Sequence, residues 1–230
     1  MFFNKYVIIL IGDVMKNKKK VKTRKINKKR LFICIAFLII AILGIALGII
    51  FLRSNSDNEP TAKPVEKIDQ MENYDYYLDE NATEYYKELY NELKNILNED
   101  EVNNEEYAKI VSKLFITDLF TLDNKLTSSD IGGFQFIYSD FKDDFIKIAK
   151  TTLYSSVESN IYGDRSQELP IVKNVVINDI NESSFSYKDN SLNAYDVNIT
   201  IEYEKDLDYP SEYKLVLIWN DKYLQIASAS

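Results

Sequence analysis

The chain has 230 residues, with 28 Lys and Arg, 36 Asp and Glu, no histidine and one cysteine, Cys34. This composition excludes Ser-His-Asp and Cys-His nucleophilic chemistry, zinc held by His or Cys, and intramolecular disulfides. Residues 1–30 hold 11 basic residues and one Asp, whereas residues 31–230 hold 17 basic and 35 acidic residues. The strongly acidic remainder argues against nucleic acid and anionic surfaces as partners.

An uncharged apolar segment runs from Leu31 to Leu52. About 20 such residues span the ~30 Å hydrocarbon core of a bilayer when they form a helix. The basic tail, residues 1–30, precedes this segment, so the positive-inside rule predicts a cytoplasmic N-terminus and an extracytoplasmic C-terminal domain. No small-x-small cleavage site follows the segment, which favours a permanent anchor over a cleaved signal peptide. The predicted extracytoplasmic part contains no cysteine, which suggests a bacterial protein. We therefore expect a single-pass protein of a bacterial cell membrane.

Two further features of the N-terminal region carry predictions. Gly44 and Gly48 form a G-x-x-x-G pair that could support a weak homodimer, although glycine is ordinarily frequent in membrane helices. Met15 stands directly before the basic block, as an ordinary start residue would. We therefore expect translation to begin at Met15, the alternative being that residues 1–14 lie weakly on the membrane.

After the anchor, residues 53–78 are polar and contain Pro60 and Pro64. This composition predicts a linker that holds the domain off the membrane. Residues 79–230 read as one α+β domain. Its first helix is predicted from Asn81, which has capping-box spacing with Glu84. A second helix is predicted from Asn103 by the same spacing.

The segment Asp118–Gly133 interrupts the helical period. A third helix is predicted from about Ser139, with an apolar stripe that should be buried. This stripe consists of Phe141, Phe145, Ile148, Ala149, Leu153 and Val157.

After Pro170 the hydrophobic period becomes two, which is typical of β-strands. Strands are predicted at 171–180, 184–188, 194–204, 213–219 and 222–227, the last two joined by a tight turn at Asn220-Asp221. Trp219 belongs to a strand that is apolar on both faces, and is therefore expected in the core at the centre of the sheet.

Helices that precede a curling antiparallel sheet resemble the NTF2-like (cystatin-superfamily) roll. The resemblance rests on Asp196–Glu204 and on the closing hairpin YKLVLIWNDKYLQIAS, and it covers about Asn81 to Ser228. It implies three amphipathic helices packed on a curved sheet that wraps around them. It also implies a domain that serves in most cases as an interaction module.

Two groups of residues are candidates for a site. The resemblance implies that Asp118, Asp123 and Asp130, beside Gly132 and Gly133 and with Tyr138 or Tyr154, could form an acid/base set in the cone of the roll. The alternative is that these residues only cap helices and turns. A cluster formed by Tyr74, Tyr76 and Tyr77 is expected to face solvent and to contact a partner.

Metal and cofactor sites are not expected. Two acidic runs could be posed as calcium ligands, but neither has EF-hand spacing, and solvated helix and turn faces explain them better. These runs are Asp140, Asp143 and Asp144, and Asp206 with Asp208.

Three functions are compatible with the sequence. The first is a non-enzymatic, membrane-anchored interaction module of the cell envelope that binds another envelope protein. The second is a receptor for a small apolar ligand in the cone. The third is an enzyme that uses the loop aspartates. A filled cone would favour the first, a dry apolar void the second, and a buried unpaired carboxylate the third.

Overall fold

The computed structural model describes residues 66–230, which form an α+β domain with three helices and a curved four-stranded antiparallel sheet. Two short strands, β1 (Lys67–Gln70) and β2 (Tyr77–Asp79), pair first in a small sheet of their own. The helices are α1 (Glu84–Leu97), α2 (Asn104–Phe120) and α3 (Lys142–Thr151). Single 3-10 turns lie at Phe134–Phe136 and Ser139–Phe141.

The main sheet is a meander in which each strand pairs with the next one along the chain. Its strands are β3 (Val172–Tyr187), β4 (Asn190–Tyr203), β5 (Glu212–Asn220) and β6 (Tyr223–Ala229). β4 and β5 are therefore central, and β3 and β6 are the edges. The β3–β4 and β5–β6 hairpins turn through residues with positive φ, including Asp189 and Asp221, a conformation that Asp tolerates better than most residues.

Helix α2 is the centre of the core. Asn103 caps its N-terminus, because the side-chain oxygen accepts the N–H groups of Glu105 and Glu106 at 3.1 and 3.2 Å. Most of the helix is buried, including Leu114, Phe115 and even the polar Ser112, whose hydroxyl donates to the Ala108 carbonyl. The predicted start of this helix is confirmed, but the helix is not amphipathic, since it is enclosed between α1 and the sheet.

Several predicted boundaries are wrong. The predicted linker, residues 53–78, includes β1 and the start of β2, which belong to the folded domain. Helix α1 is capped by Thr83, whose hydroxyl accepts the Tyr86 N–H, and not by Asn81. The two strands predicted at 171–180 and 184–188 are one continuous strand, because β4 pairs along the whole of it.

The third helix and Trp219 also differ from expectation. Helix α3 ends at Thr151, and of its expected buried stripe only Ala149 is buried within the helix, while Ile148 is 62% exposed. Trp219 lies on the central strand β5, as predicted, but its indole is only half-buried. It packs edge-on against the Tyr107 ring with a centroid separation of 6.1 Å.

Within residues 66–230 no helix is both long and apolar enough to cross a membrane. The predicted basic tail, membrane helix and G-x-x-x-G pair, as well as Met15, all lie outside the described residues.

Candidate functional site

Asp118 is the centre of the loop cluster that the sequence singled out. It lies in the last turn of α2, where its Oδ1 accepts from the Lys125 ammonium at 2.6 Å. Its Oδ2 accepts the Gly133 N–H, also at 2.6 Å. Lys125 is itself buried, at 5% exposure. Both carboxylate oxygens of Asp118 are therefore engaged in holding the 121–133 loop onto α2.

The glycines permit this close approach. A Cβ on Gly132 would lie 2.0 Å from the Asp118 carbonyl oxygen. Gly133 has φ of +75°, and a Cβ there would lie 2.8 Å from the Phe115 ring. Both positions thus require glycine for packing, and Gly133 also for its backbone conformation.

The other members of the predicted acid/base set do not converge on one point. Asp130 accepts the Leu126 N–H through Oδ2 at 3.0 Å, which closes a turn. Asp123 is exposed, with its Oδ1 3.9 Å from Arg165 Nη2. Tyr154 is fully buried, donating to the Leu119 carbonyl at 2.8 Å and accepting the Gly132 N–H at 2.9 Å. Asp118 contacts both Gly132 and Gly133. Tyr154 contacts Gly132, and all of these contacts hold the loop in place.

Lys125 and Asp79 are the residues of this region that the sequence reasoning missed. Burial alone would lower the pKa of the Lys125 ammonium, but the Asp118 charge and hydrogen bond hold that pKa above its usual range. Burial raises the pKa of the Asp79 carboxyl, and the Asp118 charge raises it further, whereas Lys125 opposes this. Burial also raises the pKa of Tyr77 to about 12, with the Asp79 charge adding to it.

These groups line a polar cleft of about 310 Å³ beside the loop. Its titratable lining consists of Tyr77, Asp79, Asp118, Lys125 and Asp130. The buried Lys125 ammonium already neutralises the Asp118 carboxylate. Covalent catalysis requires a nucleophile that is hydrogen-bonded to a free base, and this cleft contains no such pair among the described residues. Among residues 66–230 no group of three acidic side chains is arranged to hold a metal ion. Asp140, for example, pairs with Lys188 at 2.7 Å.

The tyrosine cluster does not form the exposed surface that was expected. Tyr76 is buried at 4% exposure, and its hydroxyl lies 2.6 Å from that of Tyr107. Tyr74 and Tyr77 are half-buried; Tyr74 lies beneath the Lys222 ammonium, which is 4.8 Å from its ring centroid. The prediction failed because β1 and β2 fold residues 67–79 back onto the core.

An apolar groove of about 380 Å³ lies between helices α2 and α3 and the strands β5 and β6. The half-buried rings of Phe141 and Phe145, with the exposed Ile148, form one wall. Ala227, Ser228 and Ala229 of β6 form part of the other wall. Asp144 is the one charged residue in its lining.

The groove is an open space beside α2 and the sheet. Elsewhere the space between α2 and the sheet is filled by fully buried side chains, among them Phe115, Phe120 and Leu217. The spacing of apolar residues predicted the stripe of α3, but it could not show that Phe141 and Phe145 are only half-buried and that Ile148 is exposed.

Comparisons with known protein families, with characterised proteins and with solved structures give no match to this chain.

Proposed function

We propose that this protein is a non-enzymatic interaction module of a bacterial cell envelope, anchored by a membrane helix at residues 31–52. In this proposal the basic tail stays in the cytoplasm, and residues 66–230 form an NTF2-like roll that binds another envelope protein outside the membrane. A span of about 20 apolar residues behind a basic block supports the anchor and its orientation. The meander wrapped on a buried helix supports the roll.

The observation that carries the binding function is the open apolar groove beside α3. Ile148 is 62% exposed, next to the half-buried Phe141 and Phe145. Exposed apolar surface of this kind is disfavoured in water, and where it is contiguous it commonly marks a binding site. The groove is therefore the surface of residues 66–230 best suited to a partner.

The two rival functions have less support. A small apolar ligand would suit the lining of the groove, but most of the cone is filled by side chains and the groove is open to solvent. An enzyme would need a carboxylate free to exchange protons with a substrate. The candidate Asp118 is instead bound to Lys125 and Gly133.

The test is photo-crosslinking in native membranes from a photoreactive residue placed at position 148. Position 68 is the matched control, because Ile68 on β1 is also an exposed isoleucine, at 56% against 62%. We expect a discrete crosslinked product from position 148 and none from position 68. Equal labelling from both positions, or none from either, would contradict the proposed function.

A further inference from the structure

The outer edge of β6 is protected along its first half. Tyr107 accepts the Leu224 N–H through its hydroxyl at 3.4 Å, and the Tyr76 hydroxyl lies 3.3 Å from the Leu224 carbonyl and donates to it. Two positions later, the Tyr138 N–H donates to the Ile226 carbonyl at 3.0 Å, beside a parallel bridge from Ile137. Groups on the outer side of an edge strand are otherwise ready to pair with another chain.

The same edge is open beyond Ile226. Ser230 exchanges both backbone hydrogen bonds with Lys214 of β5, at 2.8 and 3.0 Å. In an antiparallel ladder the neighbouring residue, Ala229, therefore directs its N–H and C=O away from β5. A register shift between Ile226 and Ser228 places the extra residue, Ala227, between the protected and the open parts of the edge. Within residues 66–230 no backbone group pairs with Ala229 on this outer side.

The open part of the edge coincides with the apolar groove. Residues 227–229 line the groove on one side, and Phe145 and Ile148 of α3 face them from the other. The site thus offers backbone hydrogen-bonding groups on one wall and apolar surface on the other. An acyl chain could cover the apolar wall, but it has no groups that pair with the exposed N–H and C=O of Ala229. An extended peptide satisfies both walls.

We propose that the groove binds an extended segment of a partner protein, which adds a short strand to β6 beside Ala229. Alternate side chains of that segment pack against Phe145 and Ile148. Residues 66–230 hold 33 acidic and 15 basic residues, and Asp144 lies in the groove lining. The segment is therefore apolar with basic flanking residues, since a strongly acidic domain attracts cationic partners. This inference rests on the proposed function and specifies its ligand.

The test uses the full-length chain in phosphatidylcholine nanodiscs, panned against a phage-displayed library of random peptides, with empty nanodiscs subtracted. Enriched peptides are then synthesised and their affinities measured by fluorescence anisotropy. Ala229→Pro removes the outward N–H without removing a hydrogen bond to β5, and an edge strand tolerates proline at such a position. Ala229→Val keeps the N–H and is the matched control. Ile148→Lys removes the apolar wall, and Ile68→Lys is its control.

We expect enriched peptides with alternating apolar residues and Lys or Arg at the flanks. Their affinity should fall about tenfold with Ala229→Pro and with Ile148→Lys, and change less than about twofold with the two controls. The emission of Trp219 verifies that each variant is folded.

Three results would overturn the strand-addition inference. They are the absence of enrichment over empty nanodiscs, binding that is unaffected by Ala229→Pro, and binding of a fluorescent fatty acid that these peptides do not displace. The proposed function is tested separately, by the crosslinking experiment. A partner crosslinked from position 148 in native membranes would show that the groove binds a protein, even if that protein adds no strand to β6.

Discussion

The Lys125 ammonium lies 2.6 Å from Asp118 Oδ1, with Lys125 only 5% exposed. This pair holds the loop against α2, and it is costly to break. Removal of Asp118 leaves Lys125 as a buried charge, and removal of Lys125 leaves the carboxylate of Asp118, which is only 23% exposed, without its partner. We expect Lys125→Met or Asp118→Asn alone to lower the free energy of unfolding by about 3–5 kcal/mol. The double variant should lose less than the sum of the two.

Urea denaturation of the four proteins, followed by Trp219 emission, measures this coupling. Additive losses would show that the two residues act independently. The surface pair Lys205–Glu168, both about 65% exposed, serves as a control. Its double-mutant cycle should give a coupling below ~1 kcal/mol.

The pH dependence of stability should change with Asp79. Burial raises the pKa of this carboxyl in the folded state, so its contribution to stability is fully present below its ordinary pKa of 3.8 and is lost as the pH rises through the folded value. Asp79→Asn should therefore raise the melting temperature at pH 7, and this gain should vanish near pH 3. Thermal scans of both proteins between pH 3 and pH 7 measure this difference in melting temperature. A lower melting temperature of Asp79→Asn at pH 7 would contradict the prediction.

Gly132→Ala should be far more damaging than Gly163→Ala. A methyl group at position 132 would lie 2.0 Å from the Asp118 carbonyl oxygen, so the backbone must move and the Lys125 pair with it. At Gly163, with φ of +72°, nothing lies within 4 Å, and only the backbone conformation opposes alanine. We expect about 1 kcal/mol at position 163 and at least about 3 kcal/mol at position 132. Comparable losses at both positions would refute the packing role of Gly132.

The proposed topology predicts a clear protease pattern. In protoplasts, protease added from outside should reach the chain beyond Arg53, and an epitope in residues 1–30 should survive. After lysis both parts should become accessible. A C-terminal epitope that is protected in intact protoplasts but cleaved after lysis would reverse the orientation.

The sequence allowed the fold class and the central strands to be predicted because periodicity reports which faces are apolar. The period of two from Tyr195 to Tyr203 and the apolar run of β5 both appear in the sheet as expected. Periodicity does not report what covers a face. The helical spacing therefore predicts that Ile148 is buried, whereas in the structure Ile148 is 62% exposed.

The candidate site was less predictable, because its important contacts join residues that no local pattern connects. Nothing in the sequence marks Lys125 as the partner of Asp118, since a lysine in a polar loop is ordinarily exposed. The hydroxyl of Tyr76 reaches Leu224, 148 positions away. This contact holds in the core a tyrosine that was expected at the surface, and it protects one carbonyl of the edge strand β6.

The most direct test of the binding function is the crosslinking yield in native membranes from a photoreactive residue at position 145. Two further substitutions are compared in that chain: Ile148→Lys, which alters the groove, and Asp123→Asn, which alters an exposed loop carboxylate. The proposed function predicts that Ile148→Lys abolishes the crosslinked product and that Asp123→Asn leaves its yield unchanged. A product that survives Ile148→Lys but is lost with Asp123→Asn would contradict the assignment of the groove as the binding site.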